Sequence, residues 1–257
     1  MTPQQYGFIG LGQMGGPMAG NIVTKGFPLI VYDKAGTQGL APEGAKLASN
    51  AGDVSLATDT IFLSVPDGSI SLSVIDEIIA CEGRRAKVII DLSTIGPEAA
   101  REANARCLEA GVTYIDAPVS GGQAGARAGT VTVMLAGPKD IVDAHSDVLR
   151  GFAKNPFHVG EDPGQGQALK ILNNFLSGTA MVATSEAILY GLSQGLEFKT
   201  MLDVVNVSTG QNTATADKFP KRIMTKTFDA GFATALITKD INLFLDNANE
   251  AGTPTKI

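Results

Sequence analysis

Between Gly166 and Leu196 the chain carries only two charges, Lys170 and Glu186, among small, apolar and uncharged polar residues. Lys170 follows Gly164-Gln165-Gly166-Gln167, and Asn173 and Asn174 stand at i+3 and i+4 from it, so on a helix an ammonium and two amides share a face. Near a helix N-terminus, desolvation and the macrodipole both favour the neutral amine, the form that takes up a proton in acid/base work. The structural alternative is a lysine that snorkels to water or pairs with a carboxylate.

A second set of residues opens the chain. Phe8-Ile9-Gly10-Leu11-Gly12-Gln13-Met14-Gly15 places a GxGxxG where an apolar run passes into a helix-like stretch. Such glycines permit a tight turn, let backbone N–H groups approach a pyrophosphate, and allow close helix–strand packing. Alone the pattern is weak and is also met in ordinary tight turns. Asp33 adds to it, because it closes Ile30-Val31-Tyr32-Asp33, 18 residues after Gly15, where a carboxylate accepts hydrogen bonds from the adenosine ribose. A methyltransferase also uses a glycine-rich first turn, but the helical second half described below gives that reading little support.

The third set is Asp116-Ala117-Pro118-Val119-Ser120-Gly121-Gly122, with Gly125, Ala126, Gly129 and Thr130 after it. Ser120, Gly121 and Gly122 offer a hydroxyl and unshielded N–H donors at the end of a strand, suited to holding a carboxylate. Composition alone reads the same stretch as a flexible loop.

The elements that must position these groups follow from hydrophobic patterning. Apolar, β-branched runs at Tyr6 to Ile9, Leu29 to Tyr32, Thr60 to Val65, Val88 to Leu92, Thr113 to Ala117 and Val131 to Ala136 read as buried strands. Helical stretches near residues 15–25, 69–79, 97–110 and 138–149 alternate with them, which predicts an α/β fold with a Rossmann-type doubly wound parallel sheet over 1–162. After Glu161-Asp162-Pro163-Gly164 no strand pattern continues, so 163–257 reads as all-helical, with helices over 166–196, 198–208, 215–225 and 233–250. The first of these is apolar on every face and must be covered all round, which predicts a homodimer or homotetramer. Asn173, Asn174, Ser177, Thr179, Thr184, Ser185, Glu186 and Gln194 interrupt it and argue against a membrane span.

Composition narrows the classes further. The 257 residues carry a net charge of −6, 18% charged and 44% hydrophobic residues, and 30 glycines, which excludes disorder and gives no basic footprint for nucleic acid. Cys81 and Cys107, 25 residues apart once the ends are excluded, fit neither a redox pair nor a zinc site, and His145 and His158 lack ligand spacing, so no metal is expected. The N-terminus shows no basic region followed by an apolar leader, so the expected location is cytoplasmic.

Taken in order, these segments resemble the β-hydroxyacid dehydrogenase family, which includes 3-hydroxyisobutyrate dehydrogenase and, more distantly, 6-phosphogluconate dehydrogenase. The resemblance spans the chain and rests on the Phe8 to Gly15 turn with Met18, Asp91-Leu92-Ser93-Thr94, the Asp116 to Thr130 segment, the Gly164 to Asn174 helix start, and Gly231-Phe232 with Lys239-Asp240. It implies that Lys170 is the catalytic lysine, that Asn174, with Asn173 beside it, contacts substrate, and that Ser120, Gly121 and Gly122 hold the substrate carboxylate. It also implies that Val65, Pro66 and Thr94 border the cofactor, as do Gly10, Leu11, Gly12, Gln13, Met14, Gly15 and Asp33, and that Phe232 and Lys239 close the site.

Gln167 resembles the hydroxyisobutyrate branch, since the phosphogluconate branch usually has His there. The implied activity is NAD(P)-dependent interconversion of a small β-hydroxy acid and its semialdehyde. A reductase of glyoxylate, succinic semialdehyde or tartronate semialdehyde, and an inactive dinucleotide-binding sensor or scaffold, are the alternatives. Asp33 favours NAD because its charge would repel a 2′-phosphate, with NADP possible through Lys34. Family members continue into further helices beyond the Lys239-Asp240 helix, so the helical half is expected to lack its last helices.

Overall fold

The apolar runs of the first half form a nine-stranded sheet in the computed structural model, which describes residues 4–229 and 231–255. The strands are β1 Tyr6–Ile9, β2 Leu29–Tyr32, β3 Lys46–Leu47, β4 Thr60–Leu63, β5 Val88–Asp91, β6 Thr113–Asp116, β7 Val119–Ser120, β8 Val131–Ala136 and β9 Ala153–Gly160. Their order is β3-β2-β1-β4-β5-β6-β8-β7, with β9 also on β8. β1 to β6 pair in parallel; β8 runs antiparallel to β6 and β7 and parallel to β9.

Continuous apolar strands are what a sheet covered on both faces requires. Consecutive residues go to opposite faces: Phe8, Phe62 and Ile90 pack with Met18, Ile22 and Phe152 in one cluster, while Ile9, Ile61 and Ile89 pack with Val54, Ile75 and Ile78 in the other. The chain leaves β1 for β2 on one side and returns to β4 on the other. The carboxyl ends of β1 and β4 therefore flank a topological switch point, the crevice where doubly wound sheets bind ligands.

Several elements differ from the sequence expectation. β4 ends at Leu63, β5 at Asp91 and β6 at Asp116, so Ser64, Val65, Leu92 and Ala117 belong to the loops. The segment after Asp116 is not a plain loop: it contains β7 and a helix, Gly122–Ala128. β3 has two exposed residues and β9 is polar with Pro156 inside it, so neither carries the apolar pattern of a buried strand. The Ala51–Ala57 helix starts on Asn50, whose side chain accepts from Asp53 N–H at 2.7 Å.

The chain divides into two compact units, 1–170 and 171–257. Among the described residues no strand follows Gly160. The long helix is Gln165–Ser193, followed by Phe198–Val205, a π-helical segment Ala214–Ile223 containing Pro220, and Thr234–Glu250. The second unit has a small core of Ile188, Leu202, Ala214 and Phe219, with Phe198 edge-on to Phe219 and Phe175 stacked on Phe244 at 4.1 Å. The long helix is apolar and long enough to cross a membrane by length and composition alone. Within the single chain Leu176, Leu189 and Tyr190 on it are 61%, 66% and 69% exposed.

Candidate active site

The three glycines of the first turn serve different ends. A Cβ on Gly10, whose φ is +94°, would stand 2.2 Å from the Ser64 carbonyl oxygen, and one on Gly15 would stand 1.9 Å from that of Gly10. Both are required by the chain itself, to bring β1, the loop after β4 and the Gly15–Thr24 helix together. A Cβ on Gly12 would meet nothing within 4 Å. The open side of Gly12 fits the approach of a pyrophosphate, which leaves room for no side chain. Asp33 accepts from Leu11 N–H at 2.6 Å through Oδ2 and from Ala35 N–H at 2.7 Å through Oδ1, so it fixes the glycine turn from the end of β2.

β5 and β6 end in aspartates, Asp91 and Asp116, and both are fully buried. Asp91 accepts from Ser71 Oγ at 2.5 Å, from Tyr114 OH at 3.2 Å and from Ser93 N–H at 2.9 Å. Ser93 Oγ in turn accepts from Val65 N–H at 2.8 Å, which joins the loop carrying Val65 and Pro66 to the loop carrying Thr94. Burial pushes the Asp91 carboxyl above its ordinary range, with the three hydrogen-bond donors opposing.

Asp116 accepts from Gly164 N–H at 3.0 Å and Gln167 N–H at 2.9 Å, capping the start of the long helix from the end of β6. The Gln167 side chain accepts from Ile95 and Gly96 N–H at 2.9 and 3.2 Å and donates to the Ser93 carbonyl at 3.0 Å. The helix start one turn before Lys170 is thus fastened to the loop that holds Thr94. The glycines beside Gln167 make this possible. Gly164, at φ +93°, has no room for a Cβ beside the Pro97 carbonyl, and a Cβ on Gly166 would stand 2.4 Å from the Met134 carbonyl and 2.8 Å from Asp116 Oδ2.

Burial pushes the Asp116 carboxyl up to about 6, against the two N–H donors that favour its charge. Between its ordinary value of about 3.9 and that figure, the folded chain holds a proton that the unfolded chain has released. This group's contribution to stability is therefore fully present below about pH 4 and is lost as the pH rises to about 6, by on the order of 2–3 kcal/mol. Thermal unfolding of the wild type and Asp116→Asn should diverge across this window, the wild type falling relative to the variant as pH rises. Parallel curves would show that Asp116 does not titrate there.

Ser120 ends β7 opposite Thr132, and Gly121 and Gly122 take φ of +139° and +61° in the turn into the next helix. Gln123 of that helix donates to Gln13 of the glycine turn, and Asn21 donates to the Ala126 carbonyl at 2.7 Å. Within the first unit, the loops bearing Gly10 to Gly15, Asp33, Val65, Pro66, Thr94 and Ser120 to Gly122 are thus tied to one another at the sheet's carboxyl edge.

Lys170 is 8% exposed on the sixth residue of the long helix. In the second unit, Asn173 Nδ2 donates to Asn174 Oδ1 at 3.1 Å, and Asn174 Nδ2 donates to Asp240 Oδ2 at 2.6 Å. Lys239 Nζ stands 3.4 Å from Asp240 Oδ1, and Phe232, 43% exposed, lies in the turn before their helix. The two histidines are structural: His145 bonds Thr60 Oγ1 and the Ile141 carbonyl, and His158 the Gly137 carbonyl. Both cysteines are free, and burial pushes the Cys107 thiol up to about 12. Among the described residues no group of three or more His, Cys, Asp or Glu is placed to hold a metal ion.

Sequence reasoning missed the structural roles of Asp91, Asp116, Gln167 and Asp240. The available signal was an aspartate closing an apolar strand, which recurs at Asp33, Asp91 and Asp116.

A doubly wound sheet with this glycine turn at its switch point is a dinucleotide-binding architecture, and its relatives make the chain an NAD(P)-dependent oxidoreductase acting on a CH–OH group. Residues 5–160 match the NAD binding domain of 6-phosphogluconate dehydrogenase, and residues 164–257 match a domain described as the NAD-binding of NADP-dependent 3-hydroxyisobutyrate dehydrogenase. The chain is 37% identical over 256 residues to 2-(hydroxymethyl)glutarate dehydrogenase of Eubacterium barkeri, covering 97% of this chain and 84% of that one. It is 36% identical to 3-hydroxyisobutyrate dehydrogenase of Pseudomonas aeruginosa, covering 96% and 87%. The structure of Mycobacterium tuberculosis 3-hydroxyisobutyrate dehydrogenase with L-serine superimposes with a TM-score of 0.92 at 31% identity, covering 99% of this chain and 89% of that one. The chain belongs to the β-hydroxyacid dehydrogenase family.

Proposed function

We propose that the chain interconverts a small 3-hydroxyisobutyrate-like β-hydroxy acid and its semialdehyde, with Lys170 as the acid/base. The observation that carries this reading is the helix start: Asp116 and Gln167 fix the turn before Lys170 against the carboxyl ends of β5 and β6. A buried lysine on so constrained a turn has its position set to a degree that surface solvation does not require.

The Gly10 to Gly15 turn, Asp33, Val65, Pro66 and Thr94 would hold the dinucleotide, and the family resemblance assigns Phe232 and Lys239 to it as well. When bound, its nicotinamide supplies the hydride acceptor or donor. Ser120 with the N–H groups of Gly121 and Gly122 holds the substrate carboxylate, and Asn174, set by Asp240 and Asn173, orients the hydroxyl. Lys170 Nζ takes the hydroxyl proton during oxidation and returns it during reduction. Asp33 supports NAD as the preferred dinucleotide, since its charge disfavours a 2′-phosphate. A turnover screen of short β-hydroxy acids and semialdehydes with NAD and NADP tests both statements. Absence of turnover with every β-hydroxy acid would overturn the first, and equal kcat/KM for the two dinucleotides the second.

Self-association belongs to the same reading. Leu176, Val182, Leu189 and Tyr190 leave a large apolar area on the long helix, which a second copy of the chain would cover. The polar residues along this helix favour protein over lipid as its cover, and the free cysteines suit a reducing cytoplasm. Sedimentation at micromolar concentration should give a dimer or tetramer; a clean monomer would count against this.

A further inference from the structure

Lys218 lies in the π-helical segment Ala214–Ile223, a helix form frequent at functional sites. Its neighbour Phe219 is 3% exposed in the second unit's core, edge-on to Phe198, so the backbone that carries Lys218 is anchored. Lys218 is half-buried, and its Nζ donates to Ser177 Oγ of the long helix at 2.7 Å. Among the described residues no carboxylate pairs with it. Asp217, next to it in sequence, is taken by Lys221 at 2.6 Å, and Arg222 pairs with Asp229 at 3.2 Å, whereas Lys218 forms no ion pair among the described residues. Burial accordingly lowers the Lys218 ammonium from its ordinary range, with Asp217 opposing.

An ammonium withdrawn from water toward a neutral hydroxyl is a costly arrangement, and an anionic ligand is what would offset it. Its place on the long helix says which ligand. Ser177 follows Asn174 by three residues and Lys170 by seven, so the three stand on successive turns of one helix face. We propose that Lys218 and Ser177 form a subsite for a second anionic group of the substrate, distal to the reacting carbinol, so that this chain prefers β-hydroxy acids carrying an additional carboxylate. This rests on the reading of Lys170 and Asn174 given above and adds the substrate class.

The test compares 2-(hydroxymethyl)glutarate, which carries the second carboxylate, with 3-hydroxyisobutyrate, which does not. The wild type should favour the dicarboxylate in kcat/KM by about 10-fold or more, mainly through KM. Lys218→Met should lower the ratio of the two kcat/KM values by about 10- to 100-fold, the range expected for losing a charge-assisted hydrogen bond to a ligand. Lys218→Arg should restore most of it.

A structural role would instead lower both substrates together and leave the ratio unchanged, which overturns the proposal, as does a wild type without preference. Binding separates this from failure of the catalytic reading. Even if no β-hydroxy acid is turned over, calorimetry should show glutarate binding the wild-type protein at least about 10-fold more tightly than butyrate, and Lys218→Met abolishing the difference. Equal binding of glutarate and butyrate by the wild type would overturn the subsite whatever the turnover.

Discussion

Lys170→Met lowers kcat by at least about 100-fold and leaves dinucleotide affinity within a few fold. General acid/base catalysis contributes about 10²- to 10⁴-fold, and methionine keeps the length and apolar stem of the lysine while removing the amine proposed to move the proton. The side chain is 8% exposed, so the substitution places an apolar residue where little water reaches, and the fold should persist. On the reading proposed here dinucleotide affinity rests on the glycine turn and Asp33, on loops after β1 and β2, which the substitution does not touch. Stopped-flow turnover and dinucleotide titration on the same folded variant separate the possibilities. Near-normal turnover would assign the proton relay elsewhere. Joint loss of dinucleotide binding and thermal stability would make Lys170 a structural residue.

The second large effect is expected at Gly166, which touches no reacting group. A Cβ there would stand 2.4 Å from the Met134 carbonyl and 2.8 Å from Asp116 Oδ2, and the first of these is backbone held in β8. Gly166→Ala must therefore push the helix start away from Asp116. Overpacking of this kind costs about 1–3 kcal/mol, or roughly 2–10 °C in Tm for a chain of this size. Because Lys170 lies four residues on, a displacement near 1 Å at the turn should also lower kcat by up to about 100-fold. Gly125→Ala is the control: its Cβ would make only ordinary contacts at 3.5 Å or more, so Tm and kcat should change little. Equal behaviour of the two variants in calorimetry and turnover would show that the close approach at Gly166 is not what sets the helix.

Much of this architecture was legible in the sequence, and the reason is local. Tyr6 to Ile9, Leu29 to Tyr32 and Val131 to Ala136 are apolar because the sheet buries both their faces, and a run of four to six such residues advertises itself. The glycine turn and Lys170 stand out as exceptions to their surroundings. What stayed hidden depends on partners far apart in the chain. Gln167 reads as one more polar residue at a helix start until Ile95 and Gly96, more than 70 residues earlier, are seen to donate to it. Asp116 looks like part of a glycine-rich loop until Gly164 and Gln167 are found on its carboxylate. β3 is exposed and β9 is only partly buried, so neither requires an apolar pattern, and the π-helical register of Ala214–Ile223 leaves no periodic trace distinct from an ordinary helix.

The buried clamps along the sheet's carboxyl edge change the thermodynamics of recognition. Leu11, Val65, Ile95 and Gly96 spend their N–H groups on side chains of the chain itself, so the loops that would meet a dinucleotide surrender their conformational freedom when the protein folds. Association then has little loop entropy left to oppose it, and the free energy of contact goes into affinity instead of into ordering the rim. Ser93 and Gln167 thus act on ligands they need not touch, and Asp33 on more than the ribose it would hold, by deciding how disordered the receiving surface is before anything arrives.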